Sequence, residues 1–314
     1  MTTGVWLSKK KLTLQRETTA FCLQNRSDMT DFSKTPVLDD KDISVRTEKL
    51  LQKSMGGLDV VRTYADILGM IDLTTLEGTD TSKRVEDLCD QAASYSSKRE
   101  GLPDVAAVCV YPPFVSLARR LLENTGVKVA SVAGAFPSGQ SPLFVKMAEV
   151  RYAVDEGAEE IDMVISRGKF LEGEYNLVFD EISAINEACK GAHLKVILET
   201  GELKTATNIR RASEIALGAG CHFLKTSTGK VTPAATPEAL LVMLEAIRDH
   251  QKATGHICGI KPSGGISDPA AALSYYWLTR QVLGSKRMNK KWFRIGASRL
   301  ASSLVETIRN TKSA

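Results

Sequence analysis

Three charged residues stand near the ends of otherwise apolar runs, where a buried strand would finish. Asp162 lies in Glu-Ile-Asp-Met-Val, Lys225 in His-Phe-Leu-Lys-Thr, and Lys261 in Gly-Ile-Lys-Pro. Strands buried on both faces are continuously apolar, and an isolated charge among them is unfavourable unless it is paired. A single lysine of this kind is best explained by a buried ion pair that fixes strand register. Two lysines and an aspartate at equivalent strand ends favour a catalytic site instead.

A lysine attacks a carbonyl only as the free amine, and at its ordinary pKa almost all of it is protonated at neutral pH. A second ammonium about 4 Å away repels it by roughly 4 kcal/mol at an effective dielectric constant of about 20. We therefore expect one of the two lysines to become a usable nucleophile that forms a Schiff base with an aldehyde, while the other stays charged. Asp162 is the natural proton shuttle. The Schiff base is the electron sink, so we expect no metal and no other cofactor.

Glycine-containing loops follow the sixth, seventh and eighth of the predicted strands. They contain Gly229 and Lys230, Gly264 and Gly265, and Gly296 with Ser298. Loops after the last strands of a barrel often bind phosphate through backbone amides, although glycine also serves as a plain turn residue. Next to a lysine pair, these loops favour a phosphorylated substrate.

The elements that must position these residues are eight short apolar runs, each followed by a helical pattern. The runs are 66–73, 105–111, 127–134, 159–165, 193–199, 221–227, 256–262 and 293–297. The helical patterns are 82–94, 113–124, 142–156, 175–189, 206–218, 237–253, 268–283 and 298–309. This alternation predicts an α/β fold, a closed (β/α)₈ barrel. An open doubly wound sheet is the alternative, but residues 72–76 lack the Gly-rich first turn of that fold.

The chain divides at about residue 60 in its pattern. We predict a barrel catalytic domain over 61–314 and an N-terminal extension over 1–60, partly disordered or with a short helix over 43–54. The first 27 residues carry five basic side chains against the single acid Glu17 and weakly resemble a mitochondrial transit peptide. A solvated basic tail is the preferred interpretation.

Composition excludes several classes of protein. The net charge of +4 is small and mixed along the chain, which gives no reason to expect a nucleic-acid partner. No apolar stretch of about 18 residues exists that could cross a membrane. The six cysteines form no Cys-x-x-Cys pair, which argues against zinc, and unpaired cysteines favour a reducing, cytoplasmic location. The sequence leaves open whether the chain forms a homo-oligomer.

A series of segments, in order, resembles the deoxyribose-phosphate aldolase family. They are 71–76 (Ile-Asp-Leu-Thr-Thr-Leu), 108–112 (Val-Cys-Val-Tyr-Pro), 199–203 (Glu-Thr-Gly-Glu-Leu), 223–230 (Phe-Leu-Lys-Thr-Ser-Thr-Gly-Lys), 261–265 (Lys-Pro-Ser-Gly-Gly) and 294–298 (Arg-Ile-Gly-Ala-Ser). The resemblance runs from about residue 66 to 309, and the N-terminal extension is more like that of eukaryotic members. It implies reversible cleavage of 2-deoxy-D-ribose 5-phosphate to glyceraldehyde 3-phosphate and acetaldehyde, so that the partners are small-molecule sugar phosphates and aldehydes.

The resemblance also implies roles for individual residues. Lys225 corresponds to the Schiff-base lysine, Lys261 to the lysine that perturbs it, and Asp162 to a proton relay that works through a bound water. Asp72, Thr74 and Cys109 match positions that face the substrate, although a small core-filling role is equally supported for Cys109. The residues that match the phosphate side are Gly229, Lys230, Gly264, Gly265, Gly296 and Ser298.

The chain departs from the family pattern at three places. Ser267 stands where members commonly carry arginine, and Arg299 stands where they carry serine or threonine. We hypothesise that Arg299 binds the phosphate in place of the missing arginine; the alternative is a solvent-facing side chain. Some members end in a tail with a tyrosine that helps proton transfer, whereas no tyrosine follows Tyr276 here, which predicts slower proton transfer.

Two rival functions remain open at this point. The first is another Schiff-base barrel aldolase, or a transaldolase that acts on a sugar phosphate, either of which would place the lysine in a different sequence context. The second is a degenerate barrel kept as a scaffold, which predicts the loss of Lys225, Lys261 or Asp162, yet all three are present.

Overall fold

The computed structural model describes residues 31–98 and 101–312. The predicted basic tail, including a possible transit peptide, therefore lies outside the described residues. The strands are β1 (Ile71–Thr74), β2 (Ala107–Val110), β3 (Lys128–Ala133), β4 (Glu160–Val164), β5 (His193–Ile197), β6 (Phe223–Lys225), β7 (Gly259–Lys261) and β8 (Ile295–Ala297).

Helices separate the strands in the described part of the chain. They are α1 (Asp40–Leu51), α2 (Val60–Leu68), α3 (Ser82–Ala92), α4 (Tyr95–Lys98), α5 (Val115–Leu122), α6 (Leu143–Asp155), α7 (Arg167–Leu171), α8 (Tyr175–Ala188), α9 (Thr200–Leu203), α10 (Ala206–Gly218), α11 (Pro237–Thr254), α12 (Pro269–Leu283) and α13 (Leu300–Lys312). Short 3₁₀ turns occur at Phe32–Lys34, Pro112–Phe114 and Ser285–Arg287.

The eight strands form one parallel sheet that follows the order of the chain and then closes. Its order is β7-β6-β5-β4-β3-β2-β1-β8. The remaining seam, between β7 and β8, is joined by parallel bridges between Ile260 and Phe293 and between Ser263 and Gly296. The predicted α/β barrel is therefore confirmed.

The first predicted strand began too early. Residues 66–68 end α2, and only 71–74 are extended. Asp59 caps the start of α2, since its side chain accepts a hydrogen bond from the backbone N–H of Arg62. The apolar residues Ile67 and Leu68 are buried because α2 packs against α12 and α13, not because they belong to the sheet. A short apolar run does not by itself separate these two environments.

The N-terminal segment is packed onto the barrel from residue 32 onward. The helix expected over 43–54 is observed as α1, which lies against α11 and α12. Ile43 is buried, and Asp40 accepts a 2.7 Å hydrogen bond from the backbone N–H of Ala206, the first residue of α10. Phe32 is buried beside Phe179, with ring centroids 5.8 Å apart. The described part of the extension therefore stabilises one side of the barrel.

The inside of the barrel holds two kinds of side chain. Alternate residues of each strand point inward. On one side these residues are apolar and form a small cluster around Val132, Val164 and Ile197. Several of the other inward positions carry charged side chains, which come together around Asp162. Those charges form the centre of the candidate site.

Candidate active site

Asp162 is the hub of a buried ion-pair cluster. Its Oδ2 atom lies 2.7 Å from the Nζ atoms of both Lys225 and Lys261, and its Oδ1 atom lies 3.0 Å from Nζ of Lys195. The aspartate and the three ammonium groups are almost fully shielded from solvent. The structure thus joins the three residues that the sequence singled out and adds a fourth, Lys195.

Further carboxylates complete the cluster on the side away from the pocket. Asp72 lies 2.6 Å from Nζ of Lys261 and 2.6 Å from Nη1 of Arg294. Glu160 lies 2.5 Å from Nζ of Lys195 and 2.9 Å from Nη2 of Arg294. We call the whole buried set the ionic floor; it consists of Asp72, Glu160, Asp162, Lys195, Lys225, Lys261 and Arg294.

Strand register brings the ionic floor together. Asp162 of β4 pairs with Lys195 of β5, and Lys225 of β6 pairs with Lys261 of β7. Paired residues on neighbouring parallel strands point to the same face, so these side chains converge inside the barrel. Gly296 of β8 provides space for the side chain of Lys261. A Cβ atom at this position would lie 2.8 Å from Cβ of Ser263 and 3.0 Å from Cε of Lys261.

Burial and charge act differently on Lys225 and Lys261. Burial, and then the neighbouring ammonium of Lys261, lower the pKa of Lys225 more than Asp162 raises it. Burial also acts on Lys261, but Asp162 and the additional carboxylate of Asp72 raise its pKa far above the ordinary range. Lys261 was the predicted cause of the lowered pKa of Lys225; burial lowers this pKa most, and Lys261 lowers it further.

The charge balance of the ionic floor also favours loss of a proton from Lys225. It contains three carboxylates, Asp72, Glu160 and Asp162, and four cationic side chains. The cations hold the pKa of Asp162 well below its usual range, although burial alone would raise it. One positive charge is in excess, and release of a proton from one lysine removes it. Lys225 is the floor lysine with the lowered pKa, so it is the group that gives up this proton.

A cavity of about 450 Å³ opens above Lys225 at the carboxyl ends of the strands. This is the end at which barrel enzymes carry their active sites. The residues that line it are Thr74, Thr75, Leu76, Glu77, Arg84, Lys225, Thr228, Gly229, Lys230, Ser263, Gly264, Gly265, Ile266, Ser267, Gly296, Ala297, Ser298 and Arg299. The predicted phosphate-side residues and Thr74 therefore all meet in one pocket with Lys225.

Two of the glycine loops pack backbone against backbone. Gly229 and Gly264 have φ angles of +81° and +84°, in the left-handed region that favours glycine. A Cβ atom on Gly264 would lie 2.6 Å from Cβ of Ala234 and 3.0 Å from Cα of Gly229. The close approach leaves main-chain groups at the pocket wall, where an anion can reach backbone amides.

Three cationic side chains stand at the opening of the pocket, and we call them the cationic rim: Arg84, Lys230 and Arg299. They are far more exposed than the ionic floor. Lys230 is 29% exposed and pairs with Glu77 at 2.8 Å across the opening. Arg299 is exposed at the start of α13. The cationic rim can therefore attract an anion at the opening of the pocket, and the amine of Lys225 lies at its base.

The remaining predicted residues lie deeper. Asp72 belongs to the ionic floor, beneath Lys261. Cys109 is fully buried in the small apolar cluster, and its Sγ atom is 4.0 Å from Oδ2 of Asp162. Burial, followed by the charge of Asp162, raises the pKa of this thiol to about 11, so the sulfur is protonated at neutral pH. Cys109 packs as a core residue while also touching the hub carboxylate.

Sequence reasoning missed several residues of the site. Lys195 and Glu160 are charges inside apolar runs, the same signal that identified Asp162, and the rule was not applied to them. Arg294 was part of a quoted segment without a role. Arg84 carried no signal because it lies on a helix, and only the closed barrel brings it to the pocket.

A second polar network holds the loop after β6. Glu199 is buried with a left-handed φ of +57° and accepts a 2.5 Å hydrogen bond from the hydroxyl of Thr228. Arg167 donates to the same carboxylate at 3.1 Å and also to the carbonyl oxygens of Pro137 and Ser138. This network ties the loops after β3, β4 and β5 to residue 228, next to Gly229 and Lys230.

Two further findings concern residues 31–98 and 101–312. No group of three or more His, Cys, Asp or Glu side chains there has the arrangement that could hold a metal ion. Helices long and apolar enough to cross a membrane are likewise absent from that part of the chain.

Fold and site together define a class of protein. A (β/α)₈ barrel with a low-pKa lysine at the base of its catalytic-end pocket is the arrangement of a barrel aldolase that works through a lysine. Residues 67–274 match the family described as DeoC/LacD family aldolase, and the chain belongs to this family.

Individual relatives agree with this assignment. The chain is 45% identical over 249 residues to deoxyribose-phosphate aldolase of Homo sapiens, covering 76% of this chain and 78% of that protein. It is 44% identical to the Mus musculus enzyme of the same name over the same shares. A crystal structure of deoxyribose phosphate aldolase from Aeropyrum pernix, described as a unique tetramer, has a TM-score of 0.62 at 27% identity and covers 81% of this chain and 97% of that one.

Proposed function

We propose that this protein cleaves 2-deoxy-D-ribose 5-phosphate reversibly to glyceraldehyde 3-phosphate and acetaldehyde, through a Schiff base on Lys225. The names of its relatives give deoxyribose phosphate as the substrate and an aldolase as the type of enzyme, and the resemblance described above implies the 5-phosphate, the two products and the Schiff base. Another Schiff-base aldolase or a transaldolase was the alternative, and the named relatives do not favour it. The scaffold alternative has no support from a site whose three catalytic candidates are present and in contact.

One observation carries the proposal. Of the three lysines on Asp162, Lys225 is the one that lines the pocket, and its pKa is lowered while those of Lys195 and Lys261 are raised. The amine that a substrate can reach is therefore also the amine with the largest neutral fraction, which is what attack on a carbonyl requires.

The proposed reaction passes through an imine and an enamine on Lys225. The free amine of Lys225 attacks the C1 aldehyde of the open-chain sugar, and the adduct loses water to give a protonated imine. A base removes the proton of the C3 hydroxyl, the C2–C3 bond breaks, and its electron pair moves into the imine to give an enamine. Glyceraldehyde 3-phosphate leaves. Protonation at C2 and hydrolysis release acetaldehyde and restore Lys225.

The other members of the ionic floor have supporting roles in this proposal. Asp162, 2.7 Å from Nζ of Lys225, moves protons through a bound water during imine formation and cleavage. Lys261, held cationic between Asp162 and Asp72, keeps positive charge beside the amine. Thr74 lines the pocket beside Lys225, whereas Asp72 pairs with Lys261 from below and Cys109 packs against Asp162.

The phosphate end of the substrate lies toward the glycine loops and the cationic rim. Gly229, Gly264, Gly265 and Gly296 offer main-chain groups, and Lys230, Ser298 and Arg299 add side chains. Because Ser267 has no charge, Arg299 takes over the arginine contact that other members make at that neighbouring loop. The tetrameric relative supports a homo-oligomer, while cytoplasmic location remains a prediction from the unpaired cysteines.

The test measures acetaldehyde release from 2-deoxyribose 5-phosphate by the full chain, with and without exhaustive EDTA treatment. We expect release that EDTA does not change. Borohydride reduction in the presence of acetaldehyde, followed by peptide mass spectrometry, should place the adduct on Lys225. An adduct on Lys261 would reverse the two roles, and loss of activity on chelation with recovery on added zinc would contradict the metal-free mechanism.

A further inference from the structure

Arg84 reaches the pocket from a direction that the strand order explains. It lies in the first turn of α3, which follows β1, and β1 pairs with β8 in the closed barrel. The loop after β8 contains Ser298. Arg84 and Ser298 both line the main pocket, and both also line an adjoining cavity of about 310 Å³. Arg84 therefore stands beside the glycine loop after β8.

The guanidinium is held in place from behind. Its Nε atom donates to the hydroxyl of Thr75 at 3.0 Å and lies 3.3 Å from Oδ1 of Asp80. The Asp80 side chain is only 1% exposed and accepts from the Thr75 hydroxyl at 2.7 Å and from the backbone N–H of Glu77 at 3.0 Å. A buried carboxylate thus fixes both the loop after β1 and the arginine that leans on it.

This arrangement leaves the terminal amino groups of Arg84 for a ligand. Among the described residues, the two recorded polar contacts of its side chain both use Nε. The side chain is 62% exposed, as a residue at a pocket mouth must be. Arginine presents its terminal N–H groups as a planar fork that matches two oxygens of a phosphate. Arg84 pairs with Asp80 and also lines the pocket.

The other two cations of the rim are less prepared. Lys230 is engaged by Glu77 at 2.8 Å, so a phosphate must compete with a carboxylate for it. Arg299 is exposed, and for it the structure records no side-chain contact among the described residues that would fix its position. Arg84 is the rim cation that a buried group already orients.

We propose that Arg84 is a specificity-determining residue that binds the substrate phosphate with its terminal amino groups, beside the loop after β8. This inference rests on the proposed sugar-phosphate substrate. Arg84 selects for phosphorylated over unphosphorylated sugar by binding the phosphate, and it takes no part in the reaction at the carbonyl carbon. Arg84 therefore adds a guanidinium from the first βα unit to the same pocket mouth that Arg299 borders.

Arg84→Gln and Arg84→Lys test the proposal, with Lys83→Gln as the matched control. Lys83 precedes Arg84 on α3, is 74% exposed and pairs with Asp87, so its loss removes the same charge from the same helix. For Arg84→Gln we expect the KM for 2-deoxyribose 5-phosphate to rise about tenfold. The kcat, and both constants for unphosphorylated 2-deoxyribose, should stay unchanged. Arg84→Lys should recover part of the loss, since it keeps charge without the fork.

A binding measurement separates this inference from the proposed activity. Inorganic phosphate should raise the Tm of the wild type and of Lys83→Gln, and the required phosphate concentration should increase about tenfold in Arg84→Gln. A wild type that fails to cleave 2-deoxyribose 5-phosphate, yet shows this difference in phosphate binding, overturns the proposed function and keeps the anion site. Equal effects on both sugars, no effect on either, or the same KM increase in Lys83→Gln overturn the role of Arg84.

Discussion

The ionic floor and the cationic rim both carry several cations, and they use them for opposite purposes. Asp162 and Lys261 are fully buried, whereas Lys230 and Arg84 are 29% and 62% exposed. Charges interact strongly where water is excluded and weakly where water screens them. In the floor, positions of charges therefore decide which lysine is neutral. In the cationic rim, water screens the charges from one another, so their role is to attract and bind an anion.

The comparison also separates what each region tolerates. Removing a floor cation takes an ion-pair partner from a buried carboxylate, which lowers stability. A rim cation can be removed with little effect on folding, since exposed ion pairs contribute about 0–1 kcal/mol. Substitutions in the floor should change rate, pH dependence and stability together, and substitutions in the rim should change KM alone.

The largest effect is expected for Lys225→Arg. Guanidinium remains protonated at neutral pH and cannot form the Schiff base, so the rate should fall to background. Acetaldehyde release and borohydride trapping measure this, and Lys225→Met serves as a second variant with no charge. Thermal unfolding of both variants is the control that tests whether they fold. If the Lys225→Arg protein is folded and retains appreciable activity, the nucleophile is a residue other than Lys225.

Removal of the second lysine tests the floor as an electrostatic unit. In Lys261→Leu, Asp72 and Asp162 share one cation fewer, so the pKa of Lys225 rises and its neutral fraction falls. We expect the rate at pH 7 to drop at least about tenfold and to recover partly as the pH is raised. Lys128→Leu is the control, because Lys128 is 37% exposed and contacts Glu160 at 3.4 Å from outside. An unchanged pH profile in Lys261→Leu would refute the coupling.

Stability should depend on the lower part of the ionic floor. Arg294→Met leaves Asp72 and Glu160 short of a cation and should lower the free energy of unfolding by about 3–5 kcal/mol at pH 7. Arg287→Met is the control, since Arg287 is also buried but contacts the neutral groups Cys258 O and Gln251 Oε1. Urea titrations at several pH values measure both. Similar losses in the two variants would mean that packing, not charge, is responsible.

The same variants have a predicted pH signature. Burial raises the pKa of Glu160, but Lys195 and Arg294 outweigh it and lower the pKa from 4.5 to about 2. A depressed carboxylate pKa adds stability that is complete above the ordinary value and is lost as the pH falls toward the folded value. Between about pH 4.5 and 2 the wild type should therefore lose more stability than Arg294→Met, and the two curves should approach each other.

The smallest effect is expected at the rim. Arg299→Ala should raise the KM for 2-deoxyribose 5-phosphate about tenfold and leave unphosphorylated 2-deoxyribose unaffected, since only a charged hydrogen bond to phosphate is lost. The effect should shrink as salt increases. Arg309→Ala, at the other end of α13, is the matched control. If both sugars respond alike, or neither does, Arg299 is a surface residue.

The sequence by itself determined the barrel, because alternating strand and helix patterns are local and a repeated unit has few ways to close. It also identified Lys225, Lys261 and Asp162, since a charge inside an apolar run is visible without coordinates. Strand ends of a barrel converge, so their meeting followed from the fold alone. The glycine loops were predicted to lie at the same site because they follow neighbouring strands of the barrel.

Only the tertiary structure decided which charges share a carboxylate and which face water. Lys225 and Lys261 stand in similar sequence contexts, yet Lys261 also touches Asp72, and this second contact separates their pKa values. Lys195 of β5, which lies in no recognised motif, and Arg294, which directly precedes β8, complete the ionic floor. Arg84 reaches the pocket only because β8 closes against β1. Such effects depend on distances between residues far apart in the chain, and no local pattern encodes those distances.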